Sequence, residues 1–144
     1  MSSRFQNRVA VVTGAASGMG RATALRFGQE GAKVCCADLN IEGVEQTAAD
    51  IKAAGGEAIA NKLDVTDVDS CRDLIVKAVD SYGGIDVLCN IAGLDGIKPL
   101  ADETPERWSM VMAVNVNGPF FMSQAALPHL LKSKGNIVNI ASTA

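Results

Sequence analysis

Five short apolar runs alternate with longer amphipathic stretches along the 144 residues, and that alternation admits few folds. The runs cover residues 8–13 (RVAVVT), 33–37 (KVCCA), 57–63, 85–91 (IDVLCNI) and 136–141 (NIVNIA). Runs this short, with few polar interruptions, predict strands buried on both faces. Helical patterns fill the gaps. Residues 18–30 form one and stop at Gly31. In the next, Ile41, Val44, Ala48 and Ile51 fall on one face, and Gly55-Gly56 closes it. A third opens at Thr66, with Asp69 three residues on as in a capping box, and runs toward Tyr82. The fourth opens at Thr104 with Pro105 in its first turn and reaches about Lys132. The order βαβαβαβαβ predicts an α/β fold, a doubly wound parallel sheet covered by helices. One domain over residues 1–144 is expected. The fifth strand would stand as an edge without a covering helix, so the domain reads as truncated after it, incomplete at its C-terminus. A natural small domain is the alternative.

Composition excludes several function classes. A net charge of −3, without a basic cluster, gives DNA or RNA no electrostatic foothold. No apolar run approaches the ~18–20 residues a membrane helix needs, and residues 1–7 lack the apolar core of a signal peptide. The cytoplasm is the expected compartment. Cys35, Cys36, Cys71 and Cys89 form no C-x-x-C pair, and His129 is the single histidine, so no metal site is expected. Buried, reduced thiols are the simpler reading. Trp108, Phe120 and Phe121 read as packing residues of the fourth helix.

The chemistry-bearing feature lies between the first strand and the first helix, in Thr13-Gly14-Ala15-Ala16-Ser17-Gly18-Met19-Gly20. A diphosphate sits against backbone amides at a helix N-terminus, where the dipole favours negative charge. Cβ atoms would block that approach, and Gly14, Gly18 and Gly20 remove them. The spacing is G-x-x-x-G-x-G, not the commoner G-x-G-x-x-G. Alone it also suits a ligand-free tight turn. Asp38 ends the second strand 24 residues after Gly14, near the spacing of a carboxylate that binds the adenosine ribose. Such a carboxylate accepts from both ribose hydroxyls and repels a 2′-phosphate. Leu39 follows, not Arg, and Ser17 is not basic, so NAD is favoured over NADP.

These residues together resemble the short-chain dehydrogenase/reductase family over nearly the whole chain. TGAASGMG at 13–20 resembles the family's TGxxxGxG. Asp64-Val65 matches its adenine-contacting pair. Asn90-Ile91-Ala92-Gly93 is similar to its NNAG, with Ile91 for the second asparagine. Asn115 falls at the family's asparagine in the long helix, and NIVNIAS at 136–142 leads to the position of its catalytic serine, Ser142. The resemblance implies a Rossmann fold binding NAD through Gly14, Ser17, Gly18, Met19, Gly20, Asp38, Leu39, Asp64, Val65, Asn90, Ala92 and Gly93. It implies hydride transfer between the cofactor and a small-molecule alcohol or carbonyl substrate, with Ser142 and Asn115 catalytic. It also implies a homo-oligomeric parent with the fourth helix as a dimer face. The family's acid/base pair, Tyr-x-x-x-Lys, is missing from these 144 residues, whose one tyrosine is Tyr82. The chain alone is therefore expected to be inactive. An NAD-binding module or a self-associating fragment without catalysis is the alternative.

Pro119 lies four residues after Asn115 and has no N–H to give its carbonyl. That leaves two readings: a kink that curves the helix around the sheet, or a carbonyl that binds a water. In the family, a water there joins the proton relay.

Overall fold

The computed structural model describes residues 3–94 and 98–142. Its elements run β1 Val9–Thr13, α1 Gly18–Gln29, β2 Lys33–Asp38, α2 Ile41–Ala53, β3 Glu57–Lys62, α3 Val68–Tyr82 and β4 Val87–Asn90. A short 3₁₀ turn at Leu100–Asp102 precedes α4 Pro105–Met112, a π-helical turn Ala113–Asn117, α5 Gly118–Ser133 and β5 Asn136–Asn139. The sheet order is β3-β2-β1-β4-β5, with every pairing parallel. This is the doubly wound sheet, and the strand order reverses between β1 and β4. Ligand crevices of such sheets open at the carboxyl ends of the strands at that reversal.

Side-chain alternation splits the core into two layers. Val11, Cys35 and Leu88 face Leu74, Ala78, Met122 and Leu130 of α3 and α5. Val12, Val34, Cys36 and Cys89 face Ala24, Val44, Ala48 and Ile51 of α1 and α2. Period-2 strands thus supply both faces of one sheet. All four cysteines are buried and free of disulfides. Burial pushes the Cys35 and Cys36 thiols up to about 12 and the Cys71 and Cys89 thiols up to about 11.

Three local expectations change. The cap of α3 is Asp67, whose carboxylate accepts from the Asp69 and Ser70 amides, not Thr66. Thr66 instead donates its hydroxyl to Asp64 Oδ1 at 2.7 Å. The long fourth helix stays helical from Pro105 to Ser133 but is not α throughout, because Ala113–Asn117 adopt the wider π turn directly before Gly118-Pro119. A proline ring crowds the preceding turn and lacks a donor, and a π turn absorbs both defects. Trp108 and Phe120 are not packed inside, being 59% and 60% exposed, whereas Phe121 leans on the core. β5 pairs with β4, yet all four of its residues are exposed.

The N-terminal segment is tied down at the far end of α1. Phe5 meets Phe27 edge-on at 4.8 Å, and Glu30, 4% exposed, takes charged bonds from Arg4 and Arg26. Among the described residues no helix is long and apolar enough to cross a membrane, and no cluster of His, Cys, Asp or Glu could hold a metal ion.

Candidate functional site

A cleft of about 440 Å³ opens at the strand carboxyl ends, within the ~300–1,000 Å³ typical of small-molecule sites. The β1–α1 turn forms one wall through Gly14, Ser17, Gly18, Met19 and Gly20. Asp38 and Leu39 close one end, beside Asp64 and Val65. Ala92 and Gly93, after β4, continue the lining next to Gly14. Eleven of the twelve cofactor residues expected from sequence therefore line one cavity. Leu94, expected as the first residue of the substrate-pocket wall at 94–103, lines it too, as do Leu63, Ile91 and Val114, which were not singled out. They are apolar, and an apolar side chain in a strand or helix reads as core until the fold exposes one edge of it.

Asn90 does not line the cleft. It is 4% exposed, and its Nδ2 donates to Asn139 Oδ1 at 2.8 Å and to Ser123 Oγ at 3.3 Å. It ties β4 to β5 and α5 beneath the cavity floor. Its Oδ1 is buried with no partner among the described residues. Thr13 does similar work from β1. Its hydroxyl accepts from the Ile91 and Ala92 amides, both at 3.0 Å, and so fixes the loop after β4. Asn115, exposed in the π turn, is not among the lining residues either. Its amide brackets the backbone of Leu94, accepting from N–H at 2.8 Å and donating to C=O at 3.0 Å. Ser142 follows β5, is exposed, and does not line the cleft. Of the stretch 94–103 expected as pocket wall, only Leu94 lines the cleft among the described residues, and residues 95–97 lie outside them.

The glycines of the turn serve different ends. A Cβ on Gly20 would lie 1.9 Å from the Gly14 carbonyl oxygen, so only glycine lets α1 start this close to β1. Gly18 has φ +51° and nothing within 4 Å of where a Cβ would point. The space there is open. Ser17 caps α1 without a side-chain bond, and no acidic residue occupies the first turn. By contrast α2 and α3 are capped by Asn40 and Asp67 and carry Glu42 and Asp69. The start of α1 thus keeps uncompensated amides and an uncompensated dipole. Asp38 sits beside it. Its Oδ2 accepts from Ala16 N–H at 3.1 Å and its Oδ1 from Asn40 N–H at 3.0 Å. Each oxygen retains a second acceptor site.

Several known proteins resemble the chain. A family model described as short chain dehydrogenase matches residues 8–144. A 2,5-dichloro-2,5-cyclohexadiene-1,4-diol dehydrogenase of Sphingobium indicum is 44% identical over 143 residues, covering 99% of this chain and 57% of that protein. The meso-2,3-butanediol dehydrogenase of Serratia marcescens is 41% identical over 141 residues, 98% of this chain and 55% of that one. A crystal structure from Sinorhizobium meliloti 1021, assigned as a short-chain alcohol dehydrogenase, superposes with a TM-score of 0.92 at 34% identity. It covers 99% of this chain and 57% of its own. The chain therefore spans a little over half the length of these relatives.

Proposed function

The chain belongs to the short chain dehydrogenase family, and from that premise we propose that it is the cofactor-binding part of an NAD-dependent oxidoreductase that interconverts a small alcohol and a carbonyl. The observation that carries the choice of NAD is the composition of the cleft lip. Asp38 lines it, and among the described residues no lysine or arginine does. A 2′-phosphate would meet a carboxylate with no cation to offset it, whereas a ribose diol finds two acceptor oxygens.

The residues present fit a dinucleotide. Amides at the start of α1, with the unengaged Ser17 hydroxyl, hold the diphosphate. Asp38 holds the adenosine ribose, and Leu39, Asp64 and Val65 flank the adenine. Ala92 and Gly93 face the nicotinamide half. Asn90 acts from below by holding the strands in register. When bound, the nicotinamide accepts or supplies the hydride. Ser142 donates a hydrogen bond to the substrate oxygen. Asn115, at the position of the family's asparagine, takes part in proton transfer from the π turn.

Tyr82 ends α3 and does not line the cleft, so it is not proposed as the acid/base. Burial pushes its phenol up to about 12, away from the working pH, whereas a catalytic phenol is lowered toward it. An isolated polypeptide of these 144 residues is therefore proposed to bind nucleotide without turnover. Robust turnover by it would refute that point. The cytoplasm is the proposed compartment.

The cofactor assignment is tested by Asp38→Ala. NADH affinity should fall about tenfold, since a charge-assisted hydrogen bond contributes ~1.5–3 kcal/mol. NADPH should lose less than NADH, or gain. Equal loss for both refutes the ribose role.

Self-association is a second reading with its own support. Trp108, Phe120 and Leu131 of α4 and α5 are 59%, 60% and 70% exposed, beside the bare β5. Apolar area of this kind marks interaction faces. A monomer by size exclusion at high concentration would refute it.

A further inference from the structure

The peptide that precedes α1 is fixed from outside its own glycine motif. The group joining Ala15 to Ala16 carries one carbonyl and one N–H in a single rigid plane. The Ala16 N–H is held by Asp38 Oδ2 at 3.1 Å. The Ala15 carbonyl is held by Thr47, whose hydroxyl donates to it at 2.8 Å across 32 residues of sequence. The Ala15 N–H donates in turn to Ala37 O at 3.1 Å. Both ends of the plane are thus pinned, one from β2 and one from α2, immediately before Ser17.

Thr47 is fully buried on the face of α2 that also carries Val44, Ala48 and Ile51. A mid-helix threonine ordinarily bonds the carbonyl four residues back, and here Gly43 O is available at 3.1 Å. A hydroxyl has one hydrogen to give, and the shorter contact goes to the loop. Gly43 makes that contact reachable, since a Cβ there would lie 2.8 Å from the Ala16 methyl. Residues four apart share a helix face, so Gly43 and Thr47 together seat α2 against the turn.

We infer that Thr47 is a positioning residue for the phosphate loop: through the Ala15 carbonyl it sets the orientation of the amides that open α1. This rests on the nucleotide reading above and deepens it. A loop ordered before binding spends less affinity on ordering itself. Loss of the hydroxyl should therefore weaken ligands that carry a diphosphate and spare those that do not.

The test compares ADP-ribose with adenosine by calorimetry on the whole chain. Thr47→Val removes the hydroxyl at nearly constant shape, and Thr47→Ser keeps it. Thr47→Val should bind ADP-ribose about tenfold more weakly and adenosine within about twofold of wild type. Thr47→Ser should restore ADP-ribose to within about twofold. If Thr47→Val fails to melt cooperatively, Thr47→Ala is the second hydroxyl-free variant and should show the same split. Unchanged ADP-ribose affinity in a folded hydroxyl-free variant overturns the inference. So does an equal loss for adenosine, or a folded Thr47→Ser that behaves like Thr47→Val. Wild type that binds neither probe overturns the nucleotide reading underneath.

Discussion

Replacing Gly20 with alanine separates two reasons for glycine in one turn. The added Cβ would lie 1.9 Å from the Gly14 oxygen and 2.4 Å from its carbonyl carbon, more than half an ångström inside any tolerated approach. Both obstructing atoms are backbone, so no rotamer change relieves the overlap. Forced overpacking typically costs about 1–3 kcal/mol, and a backbone obstruction belongs at the top of that range. At roughly 4 °C per kcal/mol for a domain of this size, the melting temperature should fall by about 10 °C. Gly18→Ala is the control. Its Cβ meets nothing within 4 Å, and the cost is the left-handed φ of +51°, about 1–2 kcal/mol. It should melt about 5 °C lower yet lose NADH affinity, because Gly18 lines the cleft. Circular-dichroism melts and NADH fluorescence titrations on both variants supply the readouts. A Gly20→Ala melt within about 2 °C of wild type would refute the packing reason. A Gly18→Ala chain with unaltered NADH affinity would refute the ligand reason.

Glu30 should govern part of the acid limb of stability. The Arg4 hydrogen bond, then Arg26, holds its carboxyl down to about 2 from an ordinary 4.5. A lowered folded pKa contributes stability fully above about 4.5, and that contribution is lost as pH falls toward about 2. Urea midpoints between pH 6 and pH 2 should drop more steeply for wild type than for Glu30→Gln, and parallel profiles would count against the clamp. The four cysteines should be inert to a thiol reagent in the native chain at neutral pH and react together on unfolding, because burial holds their pKa values at about 11 to about 12. Rapid native labelling of any of them would contradict their burial. Met122→Ala, at a fully buried contact between α5 and the sheet, should cost about 2–5 kcal/mol in a denaturant melt. A cost below about 1 kcal/mol would place Met122 outside the core.

The inner strands β1, β2 and β4 are legible in the sequence because burial on both faces writes continuous apolar runs, and the first three helices because each carries one apolar face. The wall from Gly14 to Gly20 and the carboxylates at 38 and 64 follow from that, since a parallel sheet delivers every strand end to one edge. What escapes the sequence is tertiary. The Thr47 hydroxyl meets Ala15 only once α2 lies on the turn. Asn115 grips Leu94 across 21 residues, and nothing local to Asn115 specifies it. Asn90 turns inward because Asn139 of β5 offers an acceptor, a pairing fixed by strand register. The Thr66 and Asp67 exchange at the start of α3 is a competition between adjacent caps, won by the carboxylate. The π turn follows from Pro119, whose missing donor is visible in sequence while the way it is absorbed is not.

Calorimetric titration of the folded 144-residue chain with NAD and then with NADP bears most directly on whether the turn before α1 grips a diphosphate under the selection of Asp38. NAD should bind at a single site, and NADP at least about tenfold more weakly. No binding of either dinucleotide to a cooperatively folded chain, or tighter binding of NADP, would contradict it.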